Sequence, residues 1–139
     1  MIDTNVLLDW LVFDEPSVRP LSAAIAASAL TWVATQAMLD ELADVLTRPL
    51  PERWDGRRAD AMVRAASNCM LLPAMPMAPA GALWCTDPDD QKFIDFALAR
   101  PARYLFTRDK ALLRLARRAA SRGVLVLTPA AWAGAPGPT

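Results

Sequence analysis

The chain reads as a parallel α/β domain, a sheet covered by helices on both faces. Short runs that are nearly all apolar recur near residues 30–34, 69–72, 104–107 and 124–127, and segments of helical periodicity separate them. Strands buried on both faces give such runs, and helical crossovers give such spacers. Acidic residues stand at the edges of these segments. In sheets of this kind, sites form beyond the carboxyl ends of the strands.

The elements follow in order. Residues 1–10, MIDTNVLLDW, open as a first strand that ends in a carboxylate at Asp3. A strand feeding a buried sheet usually has about five residues, so either the first strand is unusually short or the chain starts upstream of Met1, and the second is expected. The Ala-rich stretch 21–30 suits a helix, and residues 30–34 a short strand. Thr35 can cap a helix over residues 36–46, whose apolar stripe is Met38, Leu39, Leu42, Val45 and Leu46. Pro49 and Pro51 stop it. Residues 57–67 form the next helix and residues 69–72 a buried strand, and residues 73–81 are an irregular surface loop.

Pro88 and Asp89 suit a helix start, with Phe93, Ile94, Ala97 and Leu98 as its apolar face up to residue 99. Residues 104–107 are a strand of apolar and β-branched type. Residues 110–121 read as one amphipathic helix, closed by Gly123. A last strand, 124–127, leads through Thr128 and Pro129 to a short turn near Trp132. Residues 1–133 make one domain, and residues 134–139 a frayed tail.

Composition narrows the function. Of 139 residues, 54% are hydrophobic and 22% charged, which is a globular balance. No apolar run reaches the length of a membrane span and no leader pattern opens the chain, so a soluble cytoplasmic protein is expected. Cys69 and Cys85 lie in apolar surroundings and read as reduced core thiols. The chain has no histidine, which excludes Ser-His and Cys-His nucleophilic catalysis and histidine-bearing zinc sites. Acid–base work then falls to carboxylates, Lys, Tyr or a metal.

Charge is unevenly placed. Residues 1–99 carry 14 acidic and 7 basic side chains, and residues 100–139 carry 1 acidic and 8 basic. An acidic centre beside a basic flank suits a polyanion held near metal ions; a solvated basic helix is the competing reading. Asp3, Glu41, Asp90 and Asp109 fall at element edges on the side where a site would form. Four carboxylates there are poor packing residues and good hard-oxygen ligands for Mg²⁺ or Mn²⁺. A turn or cap role is the alternative for each alone. The five tryptophans are spread singly through the elements, as core residues are, with base stacking the lesser alternative.

DTNVLL at 3–8, the acidic helix position Glu41, DPDDQKFIDFALA at 87–99, TRDKALL at 107–113 and LTPAAW at 127–132 together resemble the PIN domain nucleases, over nearly the whole chain. The nearest branch in appearance is the bacterial group that serves as VapC-type toxins of toxin–antitoxin pairs. The resemblance implies a three-layer α/β/α sandwich with a mainly parallel central sheet and a metal-dependent ribonuclease. Asp3, Glu41, Asp90 and Asp109 match the family's four acidic positions. Asp3, Asp90 and Asp109 are expected to bind metal directly, and Glu41 through water or as an orienter of the attacking water. Asp87 and Asp89 are rivals for the third position; Asp87 is the stronger, one turn before Asp90, and Asp89 suits a plain N-cap. Asn5 and Thr107 match polar orienting residues. Arg108, Lys110, Arg114, Arg117 and Arg118 are the expected RNA-backbone contacts, with Arg100 and Arg103 extending the track. The resemblance further implies RNA as substrate, a small antitoxin partner and a homodimer. A catalytically silent scaffold domain and another α/β phosphohydrolase are the competing classes. The chain contains neither G-x-x-x-x-G-K-[ST] nor G-x-G-x-x-G, which weighs against nucleotide binding.

Overall fold

A computed structural model describes residues 1–73, 83–99 and 102–133. The expected loop at 73–81, apart from Pro73, the tail 134–139 and Arg100 lie outside these residues. Every strand pairing among the described residues is parallel. Strand β1 (Trp32–Thr35) pairs with β2 (Cys69–Leu72), Trp32 opposite Cys69. Strand β3 (Tyr104–Phe106) pairs with β4 (Leu125–Leu127), Tyr104 opposite Leu125. The α/β architecture is as expected, but its strands form two ribbons rather than one continuous sheet.

The reason lies at the amino end. Ile2 makes a single parallel bridge to Phe106, and the chain turns into helix α1 (Thr4–Leu11) immediately after Asp3. The expected first strand is therefore one bridge long. Its apolar residues follow helical spacing instead: Val6, Leu7, Trp10 and Leu11 are buried, while Asn5 is exposed. The carbonyls at the end of α1 are taken up by α4 (Asp55–Asn68). Arg57 Nε donates to the Val12 carbonyl at 2.8 Å and Arg64 Nη1 to that of Leu11 at 2.9 Å. Two cations at a helix carboxyl end satisfy its orphan acceptors and its dipole together.

Helix α2 (Arg19–Ala26) packs with α8 (Pro129–Ala133), and α3 (Gln36–Val45) packs with α1 and α4. The Thr35 side chain caps α3 as expected, accepting from the Met38 N–H. Helix α5 (Gln91–Ala99) buries Phe93, Ile94, Phe96 and Ala97 against β3. Trp10 and Trp32 are buried in edge-to-face contact, 5.5 Å between centroids.

The single helix expected over 110–121 is two, α6 (Lys110–Leu113) and α7 (Ala116–Ala120). The hydrogen-bond ladder tightens where Leu115 N–H reaches back only to Leu112, which interrupts the helix and keeps Leu112, Leu115 and Ala119 on the core side. Gly123 closes α7 at φ +87°, a conformation that favours glycine. The Val124 N–H returns to Ala119 in the same turn.

Candidate metal centre

Asp3 sits where the Ile2 bridge ends and α1 begins, and it is only 2% exposed. Its backbone N–H donates to the Phe106 carbonyl at 2.9 Å, which ties it to the carboxyl end of β3. Thr107, fully buried, donates its hydroxyl to Asp3 Oδ2 at 2.7 Å. The same Thr107 oxygen accepts the Asp109 N–H at 2.9 Å. One hydroxyl thus sets the spacing of two carboxylates 106 positions apart in sequence. Asp109 also caps α6, its Oδ1 accepting from the Ala111 N–H at 2.8 Å.

Asp87 and Asp90 arrive from another direction. They bracket a 3₁₀ turn, Pro88–Asp90, in which the Asp90 N–H bonds the Asp87 carbonyl at 3.1 Å. Gln91 secures the segment before it: its amide donates to the Leu83 carbonyl and accepts from the Cys85 N–H, both at 2.7 Å. Carboxylate oxygens of Asp87, Asp90 and Asp109 then lie within 4.8 Å of one another.

The electrostatics register this crowding. Asp90 is pushed up to about 7, first by loss of solvent, then by the charge of Asp3, then by a hydrogen bond shared with Asp109 and by the charges of Asp109 and Asp87. Burial raises Asp3 as well; the bonds from Thr107 and from the Thr4 backbone pull it back, and the charges of Asp109 and Glu41 add to the rise. Carboxylates that resist ionising together, half-buried and turned on one point, are a donor set that fits a hard divalent cation.

Glu41, on α3, acts on this group through its field on Asp3. One of its oxygens accepts from the Thr4 hydroxyl, and the other is 2.9 Å from Lys92 Nζ. Asn5 is on the exposed side of α1. Arg108 is exposed but paired: its guanidinium lies 2.7 Å from buried Asp9, whose own carboxyl is raised by burial and lowered by Arg108. Lys110, Arg114, Arg117 and Arg118 are exposed along α6 and α7, and Arg103 lies over the Tyr104 ring.

Thr4, Asp9, Cys85 and Lys92 are the site neighbours that pattern reading passed over. Thr4 adjoins Asp3, and Lys92 lies two residues past Asp90, so proximity was the available signal. Asp9 gave none, since only the helical turn of α1 brings it to Arg108. Burial raises the Cys85 thiol, a backbone hydrogen bond at Asp87 lowers it, and the charges of Asp90, Asp109 and Asp87 add to the rise.

Fold and site together define an α/β domain with a carboxylate cluster at the carboxyl end of its strands. A family model described as PIN domain matches residues 1–111, and the chain belongs to that family. PIN domains are generally metal-dependent nucleases that hold divalent ions through acidic residues. No curated protein and no solved structure matches the chain. Among the described residues no helix is long and apolar enough to cross a membrane.

Proposed function

We propose that the protein is an endoribonuclease that hydrolyses RNA phosphodiester bonds with Mg²⁺ or Mn²⁺, and that it is the toxin of a toxin–antitoxin pair. The observation that carries the reading is the convergence of Asp87, Asp90 and Asp109 within 4.8 Å, with Asp3 coupled to them electrostatically. Asp90, Asp109 and Asp3 would hold the ion, with Asp87 completing the set. When bound, such an ion neutralises phosphate charge and makes water a better nucleophile at neutral pH.

The chain's own residues supply the rest. Thr107 fixes the separation of Asp3 from Asp109. Glu41, held by Thr4 and Lys92, lies at the margin, where it suits orientation of the attacking water better than direct ligation. Lys110, Arg114, Arg117 and Arg118 would hold the RNA backbone through phosphate contacts without sequence choice. Arg108 is committed to Asp9 and is the weaker candidate. An antitoxin segment rich in acidic residues would cover the same basic face, and a homodimer is the proposed assembly.

Asp90→Asn tests the reading. Mn²⁺ binding measured by calorimetry should be lost, and cleavage of a mixed RNA substrate should fall by about 10³-fold, with circular dichroism unchanged. Unaltered cleavage would remove Asp90 from the mechanism. Mn²⁺ binding by the native chain with no cleavage of RNA or DNA would favour a silent binding domain.

A further inference from the structure

The five tryptophans are not used alike. Trp10 and Trp32 are buried against each other, Trp54 packs edge-on against Phe13, and Trp132 packs edge-on against Phe106. Trp84 is 71% exposed, and among the described residues no other ring lies against it. A lone exposed apolar side chain is ordinary on a protein surface. What singles this one out is how it is held and what it stands beside.

The backbone is fixed on both sides of Trp84. Leu83 is buried in the core, and its carbonyl accepts from the Gln91 side-chain amide at 2.7 Å. The Cys85 N–H donates to the oxygen of the same amide at 2.7 Å. A further hydrogen bond joins the Cys85 thiol to the Asp87 backbone. Trp84 precedes Asp87 by three residues, so their Cα atoms are at most about 11 Å apart. A rigid indole, with only two side-chain torsions to fix, thus stands in solvent next to the carboxylate cluster of Asp87, Asp90 and Asp109.

Charge beside the cluster is already spoken for. Lys92, two residues past Asp90, pairs with Glu41, and Arg108, one residue before Asp109, pairs with Asp9. A polyanion brought up to these carboxylates gains from a contact that does not rest on free charge, and base stacking is such a contact. Resting on the nuclease reading above, we propose that Trp84 is the platform on which one unpaired base of the RNA stacks, beside the phosphate held at the acidic centre. Every base has a π-face, so the contact favours single strands without choosing a sequence. In a duplex the bases are stacked on one another and do not reach the ring. Trp84 touches substrate and not the metal, so it governs which form of RNA is held.

The test compares the native chain with Trp84→Ala and Trp84→Phe. Binding of a short fluorescein-labelled single-stranded RNA is followed by anisotropy in chelator, alongside an abasic strand of equal length. Trp84→Ala should weaken binding of the RNA by roughly 10- to 100-fold, and Trp84→Phe should restore most of it. The abasic strand should bind the native and Trp84→Ala chains equally. Mn²⁺ affinity by calorimetry should be the same in all three chains. Equal RNA affinity of the native and Trp84→Ala chains would overturn the proposal. So would an equal loss toward the abasic strand, or a parallel loss of Mn²⁺ affinity, since the ring would then only hold the turn. A native dimer that Trp84→Ala dissociates without loss of RNA affinity would overturn it too, because the ring would be a protein contact. Native cleavage of RNA in Mn²⁺ separates the two readings: cleavage with Trp84→Ala binding RNA as the native chain does would sink the stacking alone, and a native chain that neither binds nor cleaves RNA would sink both.

Discussion

The two halves of the acidic centre are built in different ways. Asp3 and Asp109 stand at the strand ends and are wired to each other through the buried Thr107 hydroxyl. Asp87 and Asp90 hang on a 3₁₀ turn that Gln91 holds by two bonds to the residues before it. The first half is a product of the sheet, and its partners are far apart in sequence. The second is a local device of about nine residues, from Leu83 to Gln91. Damage to the sheet half should therefore reach both stability and metal affinity. Damage to the local half should fall mainly on the metal.

Thr107→Val offers the largest effect. It leaves Asp3 Oδ2 and the Asp109 N–H without their shared partner in a fully buried place. Unfolding by urea should show a loss of about 3 kcal/mol. Mn²⁺ affinity should fall by about 10- to 100-fold, as when an outer partner of a ligand is removed. A variant that keeps native affinity would show that the strand ends alone set the carboxylate spacing.

Gln91→Leu separates the halves. The Leu83 carbonyl and the Cys85 N–H lose their partner, which should cost about 1 kcal/mol in the half-buried setting. Mn²⁺ affinity should still fall about tenfold, because the turn that carries Asp87 and Asp90 loses its anchor. If stability fell as far as in the Thr107 variant, the distinction between the halves would fail.

The smallest effect is a pH dependence of the metal-free protein. Asp90 binds its proton more tightly in the fold than in the unfolded chain, about 7 against 3.8. Between those values the folded state holds the extra proton, so stability should decline as pH rises from about 4 through about 7. Thermal melts in chelator should show the melting temperature falling across that window, by less than the pKa difference alone would give because Asp90 is only half-buried and solvent screens it. Asp90→Asn should flatten the profile, and a saturating divalent ion should reverse it. A flat profile in the native metal-free chain would mean that the crowding is relieved by solvent.

Much of this was legible in the residues. Tyr104, Leu105 and Phe106 announce a buried strand by being apolar without interruption, Thr35 announces a cap, and Gly123 a helix end. Asp3, Glu41, Asp90 and Asp109 are legible as edge carboxylates with Asp87 as a rival to Asp90, whereas the structure brings oxygens of Asp87, Asp90 and Asp109 within 4.8 Å of one another. Residues 4–11 were assigned to no element in the sequence, although Val6, Leu7, Trp10 and Leu11 lie at helical spacing. Their burial alternates on the helical period only once Trp10 and Leu11 are counted. The break at Leu115 and the pairing of Arg108 with Asp9 left no local trace, since each depends on where a helix lies against its neighbours.

By itself, then, the order of apolar runs, caps and acidic edge residues determined a parallel α/β chain with carboxylates gathered at one end, because period and capping are local properties of a backbone. Only the tertiary structure decided which carboxylates share a point, which cations are already taken, and how far the sheet closes. Those outcomes are set by distances between residues remote in sequence, and a distance of a few ångströms separates a ligand set from a row of unrelated acids.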